Sequence, residues 1–257
     1  MKNGLGDLKI VEKIKMKLES FVRGLPPTML LACSLLALSA CGGGGGGGPT
    51  SPVSFQGTTA LGVPFANATV AFTCRAGTAS TTSDTNGNYR LTALVQTPCV
   101  VTATNGASTL HSLAPGGGVI NVTPLTELLT LYVAGQLNTS ESALFSNFSG
   151  NAHAHALLSN SAQVSQAQSA VVTLVSNTYH INISTTNFLG SAFVAGSGAG
   201  ADADLDVLAK TGAIDPATGL PSSAAASASL SLGQSNPFNP GGPTGATGGT
   251  GGSGTGR

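Results

Sequence analysis

The sequence has no tryptophan and only three tyrosines, and it carries ten Lys or Arg and ten Asp or Glu among 257 residues. That is about a third of the charge usual for a soluble domain. The formal net charge is zero, so no cationic face exists to displace counterions from phosphate, and nucleic acid is not an expected partner. The shortage of charge and large aromatics leaves little from which to build a catalytic cleft. The glycine-rich runs contain no P-loop lysine. Gly196-Ser197-Gly198 is flanked by Ala195 and Ala199, where a nucleophile elbow centred on Ser197 needs glycine. No Ser-His-Asp spacing stands out, and the residues predict a non-catalytic protein without a cofactor.

What charge there is lies unevenly. Lys2, Lys9, Lys13, Lys15, Lys17 and Arg23 precede residue 24, leaving Arg75, Arg90, Lys210 and Arg257 for the rest. The basic segment is followed by the charge-free run Thr28 to Ala40, 13 residues rich in Leu and Ala. A bilayer core of about 30 Å needs about 20 residues, so this run is too short to span it. A basic start, a short apolar core and small residues at its end predict an export signal over 1–40. Met16, followed by Lys17 and Arg23, would give a more compact signal and is the expected start of translation.

The run ends in Leu38-Ser39-Ala40-Cys41, which resembles the lipobox of bacterial lipoproteins. The resemblance implies that Cys41 receives a diacylglyceryl group and becomes the acylated amino terminus after cleavage. Gly42 follows, where an Asp commonly retains such proteins at the inner membrane, so the resemblance implies an outer-membrane location. Each buried acyl methylene contributes about 0.8 kcal/mol, and two or three chains hold a protein stably on a bilayer. The bilayer, reached through acylated Cys41, is therefore the expected partner. The mature chain carries four basic and seven acidic residues.

Residues 41–52 comprise Cys41, seven glycines and Pro49-Thr50-Ser51-Pro52, a flexible tether that offers nothing to bury. Texture changes near residue 122. Over 53–122, Ala68 to Cys74, Asn88 to Leu94 and Cys99 to Thr104 alternate as strands. Turn signals punctuate them at Ala76-Gly77, Asp84 to Asn88, Asn105-Gly106 and Pro115 to Gly118, which predicts an antiparallel sandwich. Val63-Pro64 through Ala68-Thr69-Val70, with Thr82-Ser83-Asp84-Thr85-Asn86-Gly87-Asn88-Tyr89, resembles the carboxypeptidase regulatory-like, or transthyretin-like, sandwich family. The resemblance covers about 70 residues and implies an accessory module without catalysis.

Cys33 leaves with the signal and Cys41 is lipidated, so Cys74 and Cys99 remain as a pair at inward strand positions. An oxidising envelope predicts a disulfide between them, and two buried thiols are the alternative. Zinc would require two further ligands, and only His111 is close in sequence. From Thr123 the period turns helical: Thr123 caps, Pro124 fits the first turn, and Leu125, Leu128, Leu129, Tyr132 and Val133 form one stripe. Further helices are expected from Ser140, over Ser161 to Ile181, and from Asp202 to Thr211, giving a helical region over 123–215. The Ser/Ala/Gly-rich residues 216–257 read as a disordered tail, and glycine at every third position from 242 to 254 is too short a repeat for collagen. The overall expectation is an α+β fold.

Two further groups could bind ligands. His153 and His155, at i and i+2, share a face only on a strand, and they are expected to be solvated or in a loop. Asp202, Asp204 and Asp206 have the odd spacing of a calcium loop, but Val207 and Ala213 stand where that loop needs Gly and Glu. Carboxylates favoured at a helix start explain them more simply. No metal site is predicted. The function expected is an envelope lipoprotein with a binding or structural module whose protein or glycan partner is unspecified. The competing reading is a calcium-dependent glycan binder or envelope enzyme that uses residues 196–206.

Overall fold

The chain divides into two units, Met1–Gly46 and Gly47–Arg257. The computed structural model describes residues 51–240, all within the second. The signal at 1–40, lipobox Cys41, the glycine tether and the glycine repeat after 241 lie outside the described residues.

Among the described residues the fold is α+β, with two β-sheets followed by six helices. Strands β1 (Val53–Thr58), β4 (Asn88–Ala93) and β7 (Gly118–Val119) form a three-stranded sheet in the order β4-β1-β7. The other strands are β2 (Thr69–Ala76), β3 (Thr78–Thr82), β5 (Gln96–Asn105) and β6 (Ser108–Ala114), ordered β3-β2-β5-β6. All pairings are antiparallel except β1 with β7. Phe72 of β2 joins the sheets: its ring centroid lies 4.5 Å from Phe55 of β1 and 6.1 Å from Tyr89 of β4. The turn before β4 forms as its residues require. Asp84 Oδ1 accepts the backbone N–H groups of Asn86 and Asn88 at 2.9 and 2.8 Å. Gly87 adopts φ 79°, where a Cβ would meet the Thr59 carbonyl oxygen at 2.3 Å.

Cys74 and Cys99 lie directly opposite on β2 and β5 and form a disulfide. Both are buried beside Phe72 and Val101. On β5 and β6, Val101, Ala103, Leu110 and Ala114 share that inner face, while Val100, Thr102, His111 and Leu113 point away from it. Alternation predicts solvent on the second face. Instead Val100 and Leu113 are fully buried, because helices cover it.

The covering helices are α1 (Pro124–Gln136), α2 (Glu141–Ser146), α3 (Ala152–Leu158), α4 (Ser161–Tyr179), α5 (Ala201–Lys210) and α6 (Ser223–Ser235), with a 3-10 turn at Phe148–Gly150. Helix α1 begins with a capping box. The Thr126 hydroxyl accepts the Thr123 N–H at 2.8 Å, the Thr123 hydroxyl accepts the Thr126 N–H, and Pro124 occupies the first turn. The sequence predicts one apolar stripe, yet Thr126, Thr130, Ala134 and Gly135 are buried as well. Helix α1 packs on β6, α4 and α6, which leaves only Glu127, Leu131 and Gln136 partly exposed and little room for a polar face.

The sixth helix corrects the expected disordered tail at 216–257 over its described part, residues 216–240. Residues 223–235 form a helix whose Ser222 cap accepts the Ala225 N–H. Ala225, Ser229 and Gly233, four residues apart and all buried, place a stripe of small side chains against α1. A Cβ on Gly135 would meet the Leu230 carbonyl oxygen at 2.2 Å, and one on Gly233 would meet the Tyr132 carbonyl oxygen at 2.0 Å. The Ser229 hydroxyl donates to the Leu128 carbonyl at 2.7 Å across the contact. Little apolar side chain is needed when two backbones approach this closely, which is why the segment's composition looks disordered. The sandwich and helices consequently share one hydrophobic core instead of forming separate modules at residue 122.

Gly135→Ala tests the crossing. Helix propensity alone would favour alanine by about 1 kcal/mol, whereas overpacking a close contact costs about 1–3 kcal/mol. Urea unfolding should show a net loss for Gly135→Ala and for Gly233→Ala. Gly150→Ala, where nothing lies within 4 Å of the added carbon, should change stability by less than about 0.5 kcal/mol. A stabilised Gly135→Ala would contradict the close approach.

Candidate functional site

Outside the hydrophobic core, the described residues bring together one group of ligand-type side chains: His111, Glu127 and Glu141, whose ligand atoms all lie within 4.8 Å of one another. Each comes from a different element. His111 is on the helix-facing side of β6, opposite Thr102. Glu127 lies in the first turn of α1 and Glu141 in the first turn of α2. The Thr126 hydroxyl donates to the His111 carbonyl at 2.9 Å, fixing the start of α1 against the strand at this point.

Glu127 grips His111 twice. Its Oε2 accepts the His111 backbone N–H, and its Oε1 lies 3.1 Å from His111 Nδ1. Glu141 Oε1 lies 3.6 Å from the same nitrogen and accepts the Thr130 hydroxyl at 2.7 Å. The Phe145 ring closes one side, 4.3 Å from the imidazole. Side-chain exposures of 21% for His111, 12% for Glu127 and 20% for Glu141 leave the group mostly enclosed but reachable from solvent.

Burial raises the Glu141 carboxyl to about 7, and the Glu127 charge adds to the rise against the opposing Thr130 hydrogen bond and His111 charge. Burial lowers His111, but the hydrogen bond to Glu127 and the charges of Glu127 and Glu141 outweigh it, so His111 is raised. Two carboxylates thus crowd one imidazole. Among the described residues the three Lys and Arg, at Arg75, Arg90 and Lys210, are all exposed.

The residues singled out by the sequence fare differently. Cys41 lies outside the described residues, and Cys74 and Cys99 are disulfide-bonded inside the sandwich. His153 and His155 sit on α3, not in a loop. His155 Nε2 is 2.8 Å from the Phe148 carbonyl oxygen and its ring meets Phe148 edge-on, while His153 is exposed on another side. Asp202, Asp204 and Asp206 do not converge. Asp202 accepts the N–H groups of Gly196 and Gly198 at 2.9 and 2.7 Å. Asp204 instead accepts the Ser184 backbone N–H and hydroxyl, the latter at 2.7 Å. Positions i and i+2 on a helix point about 200° apart, so α5 uses these acids to pin two different stretches of the 181–200 loop.

Sequence spacing conceals the cluster because its members come from three elements. The one local signal is Glu127 inside Leu125-Thr126-Glu127-Leu128-Leu129, an acid in an apolar run that must find a partner once the helix is buried. No family model, no curated protein and no solved structure matches the chain.

The raised Glu141 carboxyl has a sign. The folded state keeps a proton that the unfolded chain releases near its ordinary value of 4.5, so this contribution to stability is lost as pH rises through about 7. Raised His111 acts in the same direction, its contribution being present below the ordinary value of 6.5 and lost above the folded one. In a chelating buffer, the unfolding free energy should fall by on the order of 2 kcal/mol between about pH 5.5 and 8. Glu141→Gln should remove most of that slope. A parent profile as flat as the variant's would contradict the crowding of the two carboxylates.

Proposed function

We propose that this chain is a lipid-anchored protein of the bacterial cell envelope, attached through Cys41 and displaying a non-catalytic sandwich-and-helix module for binding or structural work. The observation that carries the reading is Leu38-Ser39-Ala40-Cys41 at the end of a charge-free run preceded by a basic segment. Such a run is too short to span a bilayer, and among the described residues no helix is long and apolar enough to cross one. Acyl chains on a single cysteine would supply the attachment instead.

Two features support the compartment and the display. A Cys74–Cys99 disulfide fits an oxidising environment, since cytosolic thiols are kept reduced. The seven glycines after Gly42's cysteine neighbour would let the module stand clear of the headgroups, with a root-mean-square reach of about 15 Å. The absence of Asp after Cys41 favours the outer membrane. The turn built by Asp84 and Gly87 supports the likeness to the transthyretin-like sandwich, an accessory module, and leaves the protein or glycan partner unspecified.

Cells expressing the chain and fed labelled palmitate should incorporate label into the parent and not into Cys41→Ala. The parent should fractionate with membranes, and the variant should lose that association. Label in the variant, or equal membrane association of both, would contradict anchoring at Cys41.

A further inference from the structure

We infer that His111, Glu127 and Glu141 form a binding site for one divalent transition-metal ion of the zinc class. The donor set is one imidazole nitrogen and two carboxylate oxygens, a combination suited to a borderline cation. Two ligands about 2.0–2.1 Å from a tetrahedral zinc ion lie about 3.3 Å apart. The Nδ1 to Oε1 separations of 3.1 Å to Glu127 and 3.6 Å to Glu141 bracket that edge. The third edge closes within 4.8 Å, so small rotations of the Glu141 side chain complete the triangle.

Charge points the same way. The ion pairs made by the two carboxylates among the described residues both end on His111, so two negative groups share one imidazole. A divalent ion balances both and leaves the imidazole neutral as a ligand. The supporting groups are in place. The His111 backbone N–H occupies Glu127 Oε2 and leaves Oε1 for the ion. The Thr130 hydroxyl orients Glu141, and Phe145 holds the imidazole plane. Such outer contacts fix the orientation of ligands. Three protein ligands and an opening to solvent leave one position for water. Strand β6, α1 and α2 would be clamped together by the ion, at the seam between sandwich and helices.

The test is calorimetric titration of zinc sulfate into the full chain, extracted in detergent, at about pH 7.5, since zinc must displace the ligand protons and binds better as pH rises. One zinc ion per chain should bind saturably. Glu141→Gln should weaken it by roughly tenfold or more, and His111→Gln should do the same. A His153→Ala/His155→Ala double variant should bind like the parent. Thermal unfolding of Glu141→Gln in chelator separates loss of a ligand from loss of the fold, since the near-isosteric amide relieves the carboxylate crowding and a folded variant should melt no lower than the parent. Lack of a saturable site in the parent, unchanged affinity in a folded Glu141→Gln, or loss of binding in the double variant would each overturn the assignment.

Discussion

Helix α1 is buried along most of its surface, with Glu127, Leu131 and Gln136 alone partly exposed, and the rest of the structure follows from that constraint. Leu125, Leu128, Leu129, Tyr132 and Val133 need apolar partners, Ala134 and Gly135 need close ones, and the buried Thr126 and Thr130 hydroxyls need acceptors. Strand β6 covers one side, α4 another and α6 a third. The third contact is the closest: Gly135 and Gly233 lie against the backbone of the opposite helix. Dispersion between two closely approaching backbones grows with contact area even where the side chains are small. That closure draws residues from near the end of the described chain into the core that begins at Phe55.

A helix enclosed in this way makes any acid on it expensive to bury, since an ionised carboxylate needs a compensating partner. Glu127 meets this by taking both the backbone N–H and the ring of His111. Glu141 then arrives from α2 into a space where one negative charge already sits, and Thr130 is the hydroxyl that receives it. The contrast with α5 is instructive. Asp202 and Asp204 are more enclosed still, but each accepts loop N–H or hydroxyl donors. Both sets of acids are structural in origin, and the first is the one that brings two carboxylates onto a single imidazole.

Much of the fold was legible where local chemistry decides it. Val70, Phe72 and Cys74 alternate with outward residues, the Asp84 to Gly87 turn contains its own hydrogen-bonding logic, and Thr123-Pro124 marks the start of α1. Helix α4 ends at Tyr179, two residues short of the expected Ile181, because His180 takes a left-handed conformation at φ 55°. The elements that escaped are those whose reason is tertiary. Strand β3 is Thr-Ala-Ser-Thr-Thr, with no apolar face to announce it, and exists as the edge partner of β2. Helix α6 is rich in Ser, Ala and Gly, a composition that reads as disorder until α1 is there to receive it. The His111 cluster has members 16 and 14 residues apart on three elements, and no periodicity relates them.

Placement at the envelope and the built core are linked through one covalent fact, that Cys74 and Cys99 are joined while Cys41 is expected to be acylated. Closing the intervening loop stabilises the sandwich by about 3 to 4 kcal/mol on a chain-entropy view, a contribution available only where thiols oxidise. Intact mass of the membrane-extracted protein, taken before and after reduction, reads all of this at once. The account predicts a chain that begins at Cys41, carries the added mass of its acyl groups and gains the hydrogens of a single disulfide on reduction. A mass that retains the residues before Cys41, or shows unmodified thiols unaffected by reductant, would contradict it.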